Sequence, residues 1–384
     1  MDNRRHFTVL VLVAALTVAG TSWRRALQAA PAGPPLAVPG TLPSSIPQAG
    51  SAPSGEPATP LAPATLVDTG LYERGRPGVV DARNRPFSPQ YPLWSDGAGK
   101  RRWIYLPEGS TIDTSDNDEW EFPIGTKLWK EFAFGGRKIE TRFLWKTGNE
   151  DWVFASYAWD AEGTAAVKAP DEGLPQVAEI APGKSHSIPS ITECRACHVS
   201  HRTEVLGFTA LQLSTDRDPN AIHGEPLEPG MTTVATLLDE GRLAPARTEL
   251  VSAPPRIDAR TTDERAVLGY LAGNCGVCHN RKTDLSPLGL HWKHGEVASS
   301  GSDIARRMIA KRTKWQVPGV PDGESQLIDL EHPEQSALVR RMKSRHAVSQ
   351  MPPLGTVLRD GEALMRIERW IASMAASRFA ERSR

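Results

Sequence analysis

The spacing of apolar and polar positions changes character along this chain. Residues 102–106, 127–134, 138–145 and 152–159 are short, partly alternating runs rich in aromatic and β-branched side chains, the pattern of half-buried strands. Pro107-Glu108-Gly109, Gly135-Gly136 and Gly148-Asn149 punctuate them as turns. The stretch from Phe132 to Ile139 reads as a β-hairpin with the glycine pair at its tip. Trp94, Trp103, Trp120, Trp129, Trp145, Trp152 and Trp159 all fall in this region. Such a density suits a core and sheet faces, and would also suit a ligand platform. The expectation is an aromatic-rich, β-sandwich-like unit or small jelly roll over residues 66–191.

Further along, the period becomes helical. Val267, Tyr270 and Leu271 fall at i, i+3 and i+4, with Thr262 and Asp263 as candidate caps. Residues 361–374 place Leu364, Ile367, Trp370, Ile371 and Met374 on one face. A short helix is expected at 336–342, and another at 232–243 through Val234, Leu237 and Leu238. Gly269 would let the first and last helices of the C-terminal part approach, with Trp370 across the contact. The fold class predicted is multidomain, α and β: an aromatic-rich β domain (66–191), a first haem-binding region (192–260) and a mostly helical, class I-like cytochrome c domain (261–384), for the reason given next.

Four cysteines are present, and two pentapeptides use them all: Cys194-Arg195-Ala196-Cys197-His198 and Cys275-Gly276-Val277-Cys278-His279. Cysteines three apart on one turn point their sulfurs the same way and can add to the two vinyl groups of one haem. The histidine that follows is then held beneath the ring as an axial ligand. Two disulfides, an all-thiolate zinc site or a redox dithiol would also use cysteines, but none needs a histidine after each pair. Two covalently bound haem c groups are therefore expected, with His198 and His279 as iron ligands. For the second haem, Met351 in Met351-Pro352-Pro353 is the expected distal ligand, ahead of Met342 and Met308. Pro287 could offer its carbonyl to orient His279. For the first haem, Met231 ranks before His223, with His186 or an open position as alternatives; His201 is too close in sequence to His198 to reach the opposite face. His291 and His294 have a metal-like spacing but no third ligand nearby, and read as a surface pair.

The remaining features place the chain outside the cytoplasm. Arg4, Arg5 and His6 precede an apolar run at 7–20, the form of an export signal or of a retained anchor within residues 1–30. Residues 31–65 form a linker rich in Pro, Ala, Gly and Ser. Lys plus Arg and Asp plus Glu both number 45, giving a net charge of zero, and no basic stripe points to nucleic acid.

On residues 91–98, 119–129, 194–213, 274–280 and 351–355, the chain resembles a family of predicted periplasmic dihaem c-type cytochromes. The resemblance implies Cys194, Cys197 and His198 for one haem, and Cys275, Cys278, His279 and Met351 for the other. It brings no particular reaction with it. The function expected is an exported dihaem carrier passing single electrons between redox partner proteins, with no catalytic residue assigned and a possible membrane tether through the N-terminus. One alternative is a dihaem peroxidase-type oxidoreductase with an open iron site at the first haem. Another is a β-domain binding module to which the haems deliver electrons.

Overall fold

The computed structural model describes residues 60–198, 204–293, 295 and 301–382. The expected signal or anchor, nearly all of the linker, His201 and His294 lie outside the described residues. Residues 57–384 belong to one compact unit.

Six strands make one antiparallel sheet: β1 (Arg85–Pro86), β2 (Gly99–Tyr105), β4 (Lys127–Phe134), β5 (Arg137–Lys146), β6 (Trp152–Trp159) and β7 (Ala166–Lys168), side by side in that order. β3 (Ile112–Asp113) pairs in parallel with β10 (Leu243–Ala244), and β8 (Leu174–Ala181) with β9 (Lys184–Ile188) forms a separate hairpin. The expected β4–β5 hairpin is present. Gly135 and Gly136 have φ of 57° and 82° at its tip, the left-handed pair that a tight turn matching strand twist requires.

Cross-strand register sorts the side chains onto two faces. Trp103, Trp129, Phe143 and Ala155 line one row, buried with Tyr157 against Leu66 and Leu71. Ile104, Leu128, Leu144 and Phe154 line the other, and meet Trp120, Phe208, Leu213, Val234 and Leu237. The sandwich expectation is corrected here. Among the described residues no second large sheet faces the first, because Pro- and Gly-broken segments and short helices from 205–250 supply the apolar cover instead.

The helices are α1 (Ile191–His198), α2 (Val234–Asp239), α3 (Glu249–Ser252), α4 (Thr262–Asn274), α5 (Gly301–Met308), α6 (Ala337–Lys343) and α7 (Gly361–Arg382). Thr261 caps α4 by accepting from the Glu264 N–H at 3.0 Å, one residue before the caps expected. α4 and α6 both pack on α7. Val267, Leu271, Ile367, Trp370 and Ile371 form their core, and Tyr91 and Trp94 from the β-rich part join it.

That sharing changes the description of the C-terminal part. The space beside Gly269 belongs to Tyr91, not to Trp370: a Cβ there would lie 2.0 Å from Tyr91 Cε1. Trp370 instead donates its indole N–H to Glu264 at 3.2 Å. The helices of 261–384 thus pack around the 91–98 segment rather than only on one another. The coarser description holds: a mixed α and β chain built on an antiparallel, aromatic-rich sheet. Among the described residues, no helix is long and apolar enough to cross a membrane.

Candidate functional site at the meeting of the two CxxCH motifs

α1 carries the first motif on its own turns. Ser190 and Glu193 bond reciprocally at its start, at 2.9 and 3.2 Å, so the helix begins at Ile191, after the Pro189-Ser190 step and with strand β9 rather than a helix before it. Cys194 and Cys197 are i and i+3, on one side of the helix. α1 rests on β6, where the Phe154 ring lies edge-on to the His198 imidazole at 5.6 Å and under the Arg195 guanidinium. The His198 Nδ1 bonds to the backbone carbonyl of Glu204. A carbonyl only accepts, so Nδ1 carries the proton and Nε2 keeps the lone pair, the tautomer required for ligation through Nε2.

The second motif is a fixed turn at the end of α4. The Cys275 N–H reaches back to Leu271 O at 2.8 Å, and His279 N–H to Cys275 O at 2.8 Å. Asn280 donates to Gly276 O and Val277 O at 3.0 and 3.1 Å. Gly276 is required: a Cβ there would sit 2.5 Å from Ala272 O. The His279 Nδ1 is buried without a hydrogen-bond partner. The Pro287 carbonyl is therefore not its acceptor, which corrects that expectation; Pro287 lies in a short 3-10 turn, Ser286–Leu288. Burial, reinforced by Arg341 and His291, holds the His279 imidazole below its ordinary pKa, in the neutral form that binds metals.

The two motifs lie close together. The interaction with Cys278 lowers the Cys197 thiol to about 7 and raises that of Cys278. Burial pushes the Cys275 thiol up to about 12 and raises that of Cys194. All four cysteines are free and only partly buried. Nothing in the sequence spacing indicated this proximity, because the motifs are far apart along the chain.

The expected distal ligands fall in different places. Met351 is partly buried, and its N–H donates to Arg341 O at 3.0 Å, on the residue whose guanidinium acts on His279. Met308 and Met342 are core residues. Met231 lies in the turn before α2; its neighbour Thr232 bonds to Pro86 on β1, whereas α1 rests on β6, so Met231 would have to reach across the sheet. His223 is committed elsewhere: Nε2 bonds both Asp360 oxygens at 2.9 Å, and Nδ1 lies 3.4 Å from Glu362. His186 is buried on β9, 3.5 Å from Glu140. The His291 Nε2 lies 3.3 Å from Ser286 O. Among the described residues, no group of three His, Cys, Asp or Glu side chains could hold a bare metal ion.

One element carries more than its sequence suggested. In Tyr91-Pro92-Leu93-Trp94-Ser95-Asp96-Gly97-Ala98, the Trp94 N–H donates to Asn274 Oδ1 at 2.7 Å, directly before Cys275. The buried Asp96 carboxylate accepts the Val357 and Leu358 N–H groups at 3.0 and 2.8 Å, just after the Met351 loop. The segment braces the second motif and the Met351 loop together. The signal for it was the Asp96-Gly97 turn, where Asp96 itself has φ of 54°.

The residues present fit covalent haem in two respects: four thiols outside any disulfide, and His198 oriented through its Nδ1; the His279 Nδ1 lacks the acceptor that would orient that imidazole in the same way. No protein-family model, curated protein or solved structure matches this chain.

Proposed function

We propose that the chain is an exported dihaem c-type cytochrome that carries single electrons between redox partner proteins outside the cytoplasm. The observation that carries this reading is the pair of CxxCH motifs, which use all four cysteines, all of them free of disulfides. Cys194, Cys197 and His198 would hold one haem, and Cys275, Cys278, His279 and Met351 the other; Met231, expected as distal ligand of the first, stands across the sheet from it. Bound haem supplies a one-electron iron couple. The chain's own residues set its surroundings. The Glu204 carbonyl orients His198, burial keeps His279 neutral, and Asp96 fixes the chain beyond Met351. Neighbouring attachment points would keep the two redox groups close within one chain. The resemblance to periplasmic dihaem cytochromes points the same way. The apolar run at 7–20 would direct export or tether the protein.

The test is an optical spectrum of the matured full-length protein, dithionite-reduced, with and without carbon monoxide. Two low-spin haems indifferent to carbon monoxide support a carrier. A carbon monoxide complex at one haem moves the function to peroxidase-type catalysis.

The closeness of Cys197 to Cys278 favours one second reading, a cross-motif dithiol. Both thiols would be oxidised to one disulfide, releasing two protons and passing two electrons to a disulfide-bearing partner protein. Alkylation separates the two: the haem protein has no thiol to modify, whereas the reduced dithiol protein has four.

A further inference from the structure

The sheet face under α1 carries an unusual row of charges. Arg102, Lys130 and Arg142 are direct cross-strand neighbours on β2, β4 and β5. Lys100 stands one pair further along the same face, opposite Phe132, which is itself opposite Glu140. Like charges at directly opposed positions repel and destabilise a sheet. Two of the four cations are neutralised. Glu225 holds Arg102 through two bonds at 2.6 and 3.1 Å, and Glu140 holds Arg142 at 2.7 Å.

The two lysines are not. Lys100 donates to a backbone carbonyl, Leu93 O, at 2.8 Å. The Lys130 ammonium lies 4.8 Å from the Phe132 ring centroid, opposite Arg142 at 4.4 Å from the same ring, and has no carboxylate partner among the described residues. Both are partly buried. Desolvation and the neighbouring cations push both ammonium groups below their ordinary range, Lys100 to about 8. A bound anion would offset that repulsion. The row runs towards the first motif: Arg142 stands opposite Ser156 on β6, the strand on which α1 rests.

We propose that Lys130, with Lys100, forms a carboxylate-binding site on the sheet face near the first CxxCH motif. The carboxylate is either a propionate of a haem held on Cys194 and Cys197, in which case the site rests on the proposed function, or a free small polycarboxylate. Charge and geometry are the same for both, and the experiment distinguishes them.

Lys130→Gln and Lys130→Arg are made in the full-length, matured protein. Covalent haem content, the two midpoint potentials, and calorimetric binding of citrate are compared with the unsubstituted chain. If a propionate is the occupant, Lys130→Gln lowers one of the two potentials at unchanged haem content, because a cation near the iron favours the reduced state, and Lys130→Arg restores it. If the occupant is free, the unsubstituted chain binds citrate, and Lys130→Gln weakens that binding by about tenfold or more. Unchanged potentials together with no Lys130-dependent citrate binding overturn the proposal. A chain without covalent haem overturns the proposed function alone, and the site then stands or falls on citrate.

Discussion

Gly269→Ala tests whether the 91–98 segment is seated on the helix that leads into the second CxxCH motif. Gly269 is in the interior of α4, where alanine would ordinarily add about 1 kcal/mol of helix stability. Here the added Cβ would lie 2.0 Å from Tyr91 Cε1 and 2.4 Å from Cδ1 and Cζ. Carbon atoms in contact sit about 3.5–4.0 Å apart, so the ring would have to move by more than about 1 Å. It has little room to do so. Tyr91 is 1% exposed, its N–H is held by Gln212 at 2.9 Å, and its hydroxyl lies 3.3 Å from Asp218. Its carbonyl already crowds the next helical turn at Gly273, where a Cβ would be 2.4 Å away. Overpacking a fixed core costs about 1–3 kcal/mol, and the upper end applies to a side chain held at both ends. Set against the helix gain, the net loss should be about 2 kcal/mol. In a Tyr91→Ala background the overlap is gone, and Gly269→Ala should be neutral or stabilising by up to about 1 kcal/mol. The coupling between the two sites is then about 2–3 kcal/mol. Urea denaturation of the four matured proteins, followed by far-ultraviolet circular dichroism, measures it. If Gly269→Ala is as stable as the parent in both backgrounds, Tyr91 does not occupy this notch and the shared core is wrong.

Met351→Ala should lower one haem's midpoint potential and convert that iron to high spin, and an unchanged visible spectrum would remove Met351 as a ligand. Asp96→Ala removes the charged acceptor of the Val357 and Leu358 N–H groups and should cost about 1.5–3 kcal/mol, while making one haem accessible to carbon monoxide; a variant that resists carbon monoxide as the parent does would mean that Asp96 does not position the Met351 loop. Burial would raise the Glu264 carboxyl, but bonds from Arg260 and Trp370 outweigh it and hold the pKa below the usual range. Its stabilising contribution is therefore present above the ordinary carboxylate pKa of about 4.3 and is lost as pH falls through the depressed value. Glu264→Gln should accordingly flatten the acid limb of a stability–pH curve, and an unaltered limb would refute the assignment.

Local pattern foretold the elements well, and long-range contacts poorly. The β4–β5 hairpin, the strands through Trp103, Trp129 and Trp152, and the helices at 262–274 and 361–382 follow from period, turn glycines and caps, all of which are local. What covers the sheet does not follow from them. Strands that alternate on both faces are compatible with a second sheet or with the loops and short helices from 205–250 that are present. The pairing of Gly269 with Tyr91 was equally hidden, because a glycine in a helix says that something approaches closely but not what. At the site, CxxCH spacing suggested the attachment chemistry of each motif, and Met351 was suggested by its Pro-stiffened loop. The closeness of Cys197 to Cys278 and the Arg102–Lys130–Arg142 row arise from tertiary packing and strand register, neither of which spacing reveals.

The most direct measurement of the central claim is the number of haems bound covalently to each chain, by mass spectrometry of the unfolded, full-length protein after expression with haem-attachment machinery. Two haems per chain are expected, falling to one when Cys275 and Cys278 are both replaced by alanine. A chain of unmodified mass with four alkylatable thiols, or with Cys197 joined to Cys278, would contradict the account.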